Sequence, residues 1–262
     1  MTPIAMPAAT AIGFALVLAR CAGAVMLLPG WAETETPAML RAAVALALAV
    51  LIWPLVAPTM PTVGDDGAML LAMLARELLA GALLGFLARL VTLALPMAGQ
   101  MLSLMIGLAS VLQTDAAIGA QQTAIARLFG LAAPLLLLGS GLYRLPLRAL
   151  AGSYQLWPLG LAATHGVAAA VMPADMLPAA IDGIAGGFAL ALRLAAPFLL
   201  ASLLLHVTLG LLGRLVPQVQ LFLIAMPGQV LGGMALLAGL AVTILRAWGD
   251  GATGVFAALP GL

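Results

Sequence analysis

Apolar positions gather into six long runs, at about 11–28, 38–56, 68–95, 124–142, 179–212 and 219–248, with proline, glycine and charge concentrated between them. Runs of this length predict helices rather than strands, and each approaches or exceeds the roughly 20 residues that a membrane span requires. The third, at about 40 Å for 1.5 Å per residue, is longer than a hydrocarbon core of about 30 Å needs. Local punctuation sets the expected ends. Pro29-Gly30 closes the first run, Thr36 and Pro37 read as the cap and first-turn proline of the second, and Asp65 and Asp66 precede the third as candidate caps. Pro96 and Pro197 are predicted to interrupt or kink their runs.

The third run carries the most pattern. Glu77, Gly81, Gly85 and Arg89 recur four apart and share one helical face, which predicts contact with another protein surface. After Pro96 the character changes. Gln100, Ser103, Gly107, Ser110 and Thr114 fall at three- and four-residue intervals, a narrow polar and small-residue stripe along an amphipathic segment at 98–122 that includes a loop-like polar stretch from Gln113. A stripe of this kind suits a wet pathway or a polar seam between helices. Met97, Met101 and Met105 lie beside it as flexible apolar side chains, fitted either to closing a passage or to ordinary packing. Glu77 reads as a proton relay or as the partner of an arginine on a neighbouring helix or subunit. With no further acid in the run to hand a proton on, pairing is the expectation.

Composition turns long helices into a membrane protein. Of 262 residues, 65% are hydrophobic and only 7% charged, against roughly 25% charged in a soluble domain; mean hydropathy is +1.21. Lysine is absent and the net charge is +1, so nothing electrostatic points to nucleic acid. The 29 glycines and 17 prolines favour close, irregular helix contacts. Arg20 lies inside the first run, where insertion costs about 2.5–3.5 kcal/mol unless the guanidinium finds a partner. No basic region precedes that run, so it is expected to be retained rather than cleaved as a signal peptide. Arg144 and Arg148, with Tyr143, Tyr154 and Trp157 nearby, form an interfacial signature.

Chemistry for catalysis does not assemble. Cys21 is alone, His165 and His206 have no ligand-spaced companions, and no nucleophile elbow, zinc-protease motif, phosphate loop or dinucleotide loop is present. No cofactor or metal is implied. The pairs Gly81/Gly85, Gly183/Gly187 and Gly228/Gly232 have helix-contact spacing. There is neither a repeat nor a linker long enough to divide the chain, which reads as a single helical unit over 1–262.

Several local patterns, in order, resemble one family. They are FALVLARCAGAVMLLPG at 14–30, with Arg20 in an ARxxG-like position; PAMLRAAVALALA at 37–49, with Arg41; RELLAGALLGFLARL at 76–90; AGQMLSLMIGLA at 98–109; and VPQVQLFLIAMPGQVLGG at 216–233, with Pro217 and Gln218. Together they are similar to the FliR family of the flagellar export gate, whose counterparts in type III secretion are the SctT proteins. The resemblance implies an all-α fold of polytopic, membrane-associated helical hairpins, steeply tilted and packed into a hetero-oligomeric gate. It also implies a non-enzymatic subunit in the bacterial inner membrane, at the centre of the flagellar basal body. The partners would be FliP-like, FliQ-like and FlhB-like subunits, membrane lipid and the exported unfolded polypeptide.

By the same resemblance, Gln100, Ser103, Gly107, Ser110, Gln113, Thr114 and Asp115 would face or plug the channel. Arg20, Arg41, Glu77, Gly81, Gly85, Arg89, Pro217, Gln218, Gly228 and Gly232 would serve subunit packing. Asp115 matches the family's plug loop, whereas Ser110, Val111 and Ala116 depart from it, and Gln220 stands where asparagine is usual. Two other functions stay open at this point. A secondary transporter of a small solute would draw on breaks at Pro96 and Pro197. An intramembrane enzyme would need reactive groups that the chain does not group together.

Overall fold

The computed structural model describes residues 5–33, 36–59, 67–108, 123–159, 176–215 and 221–262. Among these residues the chain is helical and has no strand. The helices are α1 (Ala5–Leu27), α2 (Ala38–Val56), α3 (Gly67–Ile106), α4 (Ala124–Gly139), α5 (Arg144–Leu156), α6 (Met176–Leu215) and α7 (Leu221–Ala257), with a 3-10 turn at Ala57–Thr59. Five of them, α1, α2, α3, α6 and α7, are long and apolar enough to cross a membrane, and a bent α4–α5 pair would make a sixth span. The protein is an all-α polytopic membrane protein. Its described residues fall into two compact units, one comprising Met1–Leu90, Leu137–Ala185 and Gly254–Leu262, the other Val91–Leu136 and Gly186–Thr253.

The first unit is built on α1. Leu16, Val17, Arg20, Cys21 and Ala24 recur at helical spacing and are all buried, so the face that packs is also the face that carries the arginine. The helix ends where Pro29 cannot continue it and Gly30 takes φ 85°, a left-handed value suited to glycine. Against α1 lie Ala49, Ile52 and Val56 of α2, Met73, Ala80 and Leu84 of α3, and Leu150, Tyr154 and Trp157 from α5 and just beyond it. Helix α5 is amphipathic. Pro146, Ala149, Leu150, Ser153 and Tyr154 face inward, while Arg144 and Arg148 remain exposed. The chain end docks beside it, where a Cβ on Gly152 would strike the carbonyl oxygen of Gly261.

In the second unit, Val91, Ala94, Leu95, Ala98 and Leu102 of α3 are buried, as are Phe129, Ala133, Leu194, Ala195, Phe198 and Trp248. Pro96 lies within α3, which runs on through it to Ile106. At 40 residues this helix is about 60 Å long, twice a hydrocarbon core. Proline offers no N–H to the carbonyl four residues back, and close by the helix is tied from outside: the indole Nε1 of Trp248 donates to the carbonyl of Val91 at 3.0 Å. Pro197 likewise lies inside α6.

The start of α2 differs from expectation. Pro37, not Thr36, is its N-cap, with no side-chain capping bond. The Thr36 hydroxyl turns back to donate to the carbonyls of Trp31 and Glu33, at 2.9 and 2.6 Å. The loop is thus fastened to itself, and the carbonyl of Pro37 accepts from Leu40 and Arg41 to begin the helix. Asp65 and Asp66 lie outside the described residues.

Candidate functional site

Arg20 and Glu77 form the electrostatic centre of the first unit. Arg20 Nε donates to Glu77 Oε2 at 2.6 Å, with the two side chains 0% and 1% exposed. Nη1 donates to Ser153 Oγ at 3.0 Å and Nη2 to the carbonyl of Trp157 at 2.8 Å. The guanidinium also stands 4.0 Å from the centroid of the Tyr154 ring. Three segments of chain, α1, α3 and the end of α5, therefore meet at one side chain. A buried ion pair of this kind adds little net stability over apolar packing, but losing one partner is costly because the other stays buried and charged. The planar fork reaches acceptors on α3 and at the end of α5 at once, so these bonds depend on the register of α1, α3 and α5.

Glycines make that arrangement possible. A Cβ on Gly81 would overlap the carbonyl oxygen of Arg20, one on Gly85 that of Ala24, and one on Gly23 that of Leu78. Helices α1 and α3 thus meet backbone to backbone and run parallel, since rising numbers on one meet rising numbers on the other. Arg89 completes the face by donating to the carbonyl of Ala32 at 3.4 Å. The surface expected to receive another subunit is therefore occupied by the chain's own first helix, because only a glycine-spaced face admits so close a neighbour. Arg41 stands apart, bonded locally to the carbonyl of Thr36 at 3.2 Å.

The polar stripe after Pro96 divides. Ser103 is fully buried; its hydroxyl donates to the carbonyl of Gly99 at 2.9 Å and to Thr123 Oγ1 at 2.7 Å. Gln100 Oε1 accepts from the Thr123 backbone and hydroxyl, at 3.3 and 3.1 Å. Gly99 lets α4 approach, since a Cβ there would lie 2.9 Å from Ala126 Cα. Of the two sequence-based alternatives, the described part of the stripe matches the polar seam, and Ser103 does not line a wet surface here. The side of the helix left open is apolar, with Met97 at 37% and Leu104 at 51% exposed.

Gly107 ends α3 at φ 86°. Next to it, Gln229 Nε2 donates to the carbonyl of Met105 at 2.7 Å. A Cβ on Gly228 or Gly232 would project into open space, and both glycines line an open groove of about 320 Å³ with Met105, Phe198 and Ser202. His206 is exposed and bonds through Nδ1 to the carbonyl of Ser202 at 2.7 Å. Ser110, Gln113, Thr114, Asp115, Pro217 and Gln218 lie outside the described residues. Ser153, Thr123 and Trp248 are partners that the sequence pattern does not single out. Ser153 carries a usable signal, being a small hydroxyl residue on the inward face of an amphipathic helix.

With this geometry in view, relatives become informative. Residues 11–254 match the family described as "Bacterial export proteins, family 1". The chain is 31% identical over 236 residues to the flagellar biosynthetic protein FliR of Caulobacter vibrioides, covering 90% of this chain and 91% of that one. The Arg20–Glu77 junction and the α1–α3 glycine contact both lie within the matched region. The chain belongs to the bacterial export proteins of family 1, the FliR family, and is a membrane component of the flagellar protein export apparatus.

Proposed function

We propose that this chain is a non-enzymatic structural subunit of the flagellar export gate in the bacterial inner membrane, at the centre of the basal body. It assembles with FliP-like, FliQ-like and FlhB-like subunits around a passage for unfolded polypeptide. The observation that carries this reading is the similarity to FliR over nine-tenths of the chain. Two features support it. Buried polar groups tie helices to one another at Arg20 and Ser103. In addition, α6 and α7 leave Leu200, Leu203, Leu204, Leu211, Leu231 and Met234 exposed, an apolar surface fitted to lipid or to neighbouring subunits. A solute transporter has lost its one support, since Pro96 and Pro197 lie within continuous helices.

In this account, the segment that follows α3, from Gly107 to Asp115, closes the passage at rest, with Met97, Met101 and Met105 as its flexible apolar flank. Deleting residues 109–115 is expected to raise resting ion conductance of cells that carry the assembled complex. Unchanged leak together with unchanged flagellar protein secretion would refute the plug assignment.

A further inference from the structure

An α-helix leaves its last carbonyls without donors of its own, and at the end of α3 a donor comes from another helix. Gln229 Nε2 of α7 reaches the carbonyl of Met105 at 2.7 Å. Contact continues one turn further along α7, where a Cβ on Gly233 would strike the Ile106 side chain at 2.6 Å. Beside it, a Cβ on Gly107 would lie 3.7 Å from the amide carbon and nitrogen of Gln229. Helix α7 runs antiparallel to α3, since Trp248, far along α7, donates to Val91, well back on α3. The two bonds differ in setting. Trp248 is 1% exposed and sealed from water, whereas Gln229 is half-buried and lines the open groove with Met105 and Ile106. The first bond anchors α7 on α3, and the second holds the last turn of α3 where water can compete for it.

We propose that Gln229 is a positioning residue: by capping α3 from α7, it fixes where and in what direction the chain leaves the helix, and so sets the closure assigned above to Gly107–Asp115. The inference rests on that reading of the segment. The place of the bond suits the role. Met105 is the second-last residue of α3, directly before the left-handed turn at Gly107, so a shift of this turn redirects whatever follows. The bond also sets a donor at the negative end of the helix dipole. Donor capacity and charge at position 229 should therefore matter more than side-chain size, which a packing role alone would not produce.

Two readouts test this together: hydrogen exchange of the purified full chain over the last turn of α3, and resting ion conductance of cells that carry the assembled complex. Gln229→Leu removes the donor at similar size. It should speed exchange at Ile106 and Gly107 about fivefold, the effect of one neutral hydrogen bond, and raise the leak, with exchange from Val91 to Ala98 unchanged. Gln229→Glu should do at least as much, since a carboxylate only accepts and repels the helix end. Gln229→Lys keeps a donor and adds a cation there, so it should preserve both slow exchange and low leak. Equal exchange in Gln229→Leu and the wild type, or the same change in all three variants, overturns the cap. If the cap holds but the leak rises only on deleting residues 109–115, the link from cap to closure is overturned while the plug reading stands. Leak unchanged by the deletion itself overturns both.

Discussion

Arg20→Leu is expected to destabilise the protein by about 3–5 kcal/mol, the cost of leaving one member of a buried pair without the other. The loss follows from what remains: Glu77 at 1% exposure, deprived of its cation, and a serine hydroxyl and a carbonyl deprived of their donor. Glu77→Leu should be similarly damaging, because it strands the guanidinium. Arg20→Lys should rescue only part, since an ammonium cannot reach three acceptors with the geometry of a planar fork. The double replacement Arg20→Leu with Glu77→Leu distinguishes this account from simple loss of packing. Removing both charges also removes both desolvation costs, so the double variant should be less destabilised than the sum of the singles. Thermal unfolding of the purified variants in mild detergent measures each value, and strict additivity would show that the two residues do not act as a pair.

The second large effect is steric. Gly81→Ala is expected to cost at least the roughly 1–3 kcal/mol typical of overpacking, because the added methyl meets the backbone of Arg20 rather than a side chain that could move aside. Separating α1 from α3 also pulls Arg20 from Glu77, so the damage should extend to the junction. Gly228→Ala and Gly232→Ala provide the contrast, since both positions open onto free space. There a methyl should be nearly neutral or slightly stabilising, given alanine's helix propensity advantage of about 1 kcal/mol over glycine. Equal behaviour at Gly81 and Gly228 would contradict the backbone contact.

The same contrast separates what is legible in the sequence from what is not. Apolar runs are legible as helices because hydropathy is local, but α3 runs on to Ile106 and the amphipathic α5, less apolar than the others, is covered by no run. Pro96 does not interrupt the helix: α3 continues through it, so a proline inside an apolar run marks a lost N–H and not by itself an end. The Glu77/Gly81/Gly85/Arg89 face is legible as a contact surface, but periodicity gives a face and not its occupant, which here is α1. Gln100 and Ser103 are legible as a stripe. Whether it faces water or a helix depends on Thr123, one residue at the start of α4. In a chain whose long helices are mostly apolar, such sparse polar and glycine positions carry much of the pairing information, and each is meaningful only with its distant partner.

As a structural part of a larger export complex, the chain should be inseparable from its neighbours, and the most direct test is the intact mass of the assembly extracted gently from native membranes by a tag on this chain. The expected result is a complex in which the chain is held together with multiple copies of smaller hydrophobic subunits, while the chain alone, in liposomes, moves no solute. Recovery of the chain as a stable single species that supports substrate-dependent flux by itself would contradict this role.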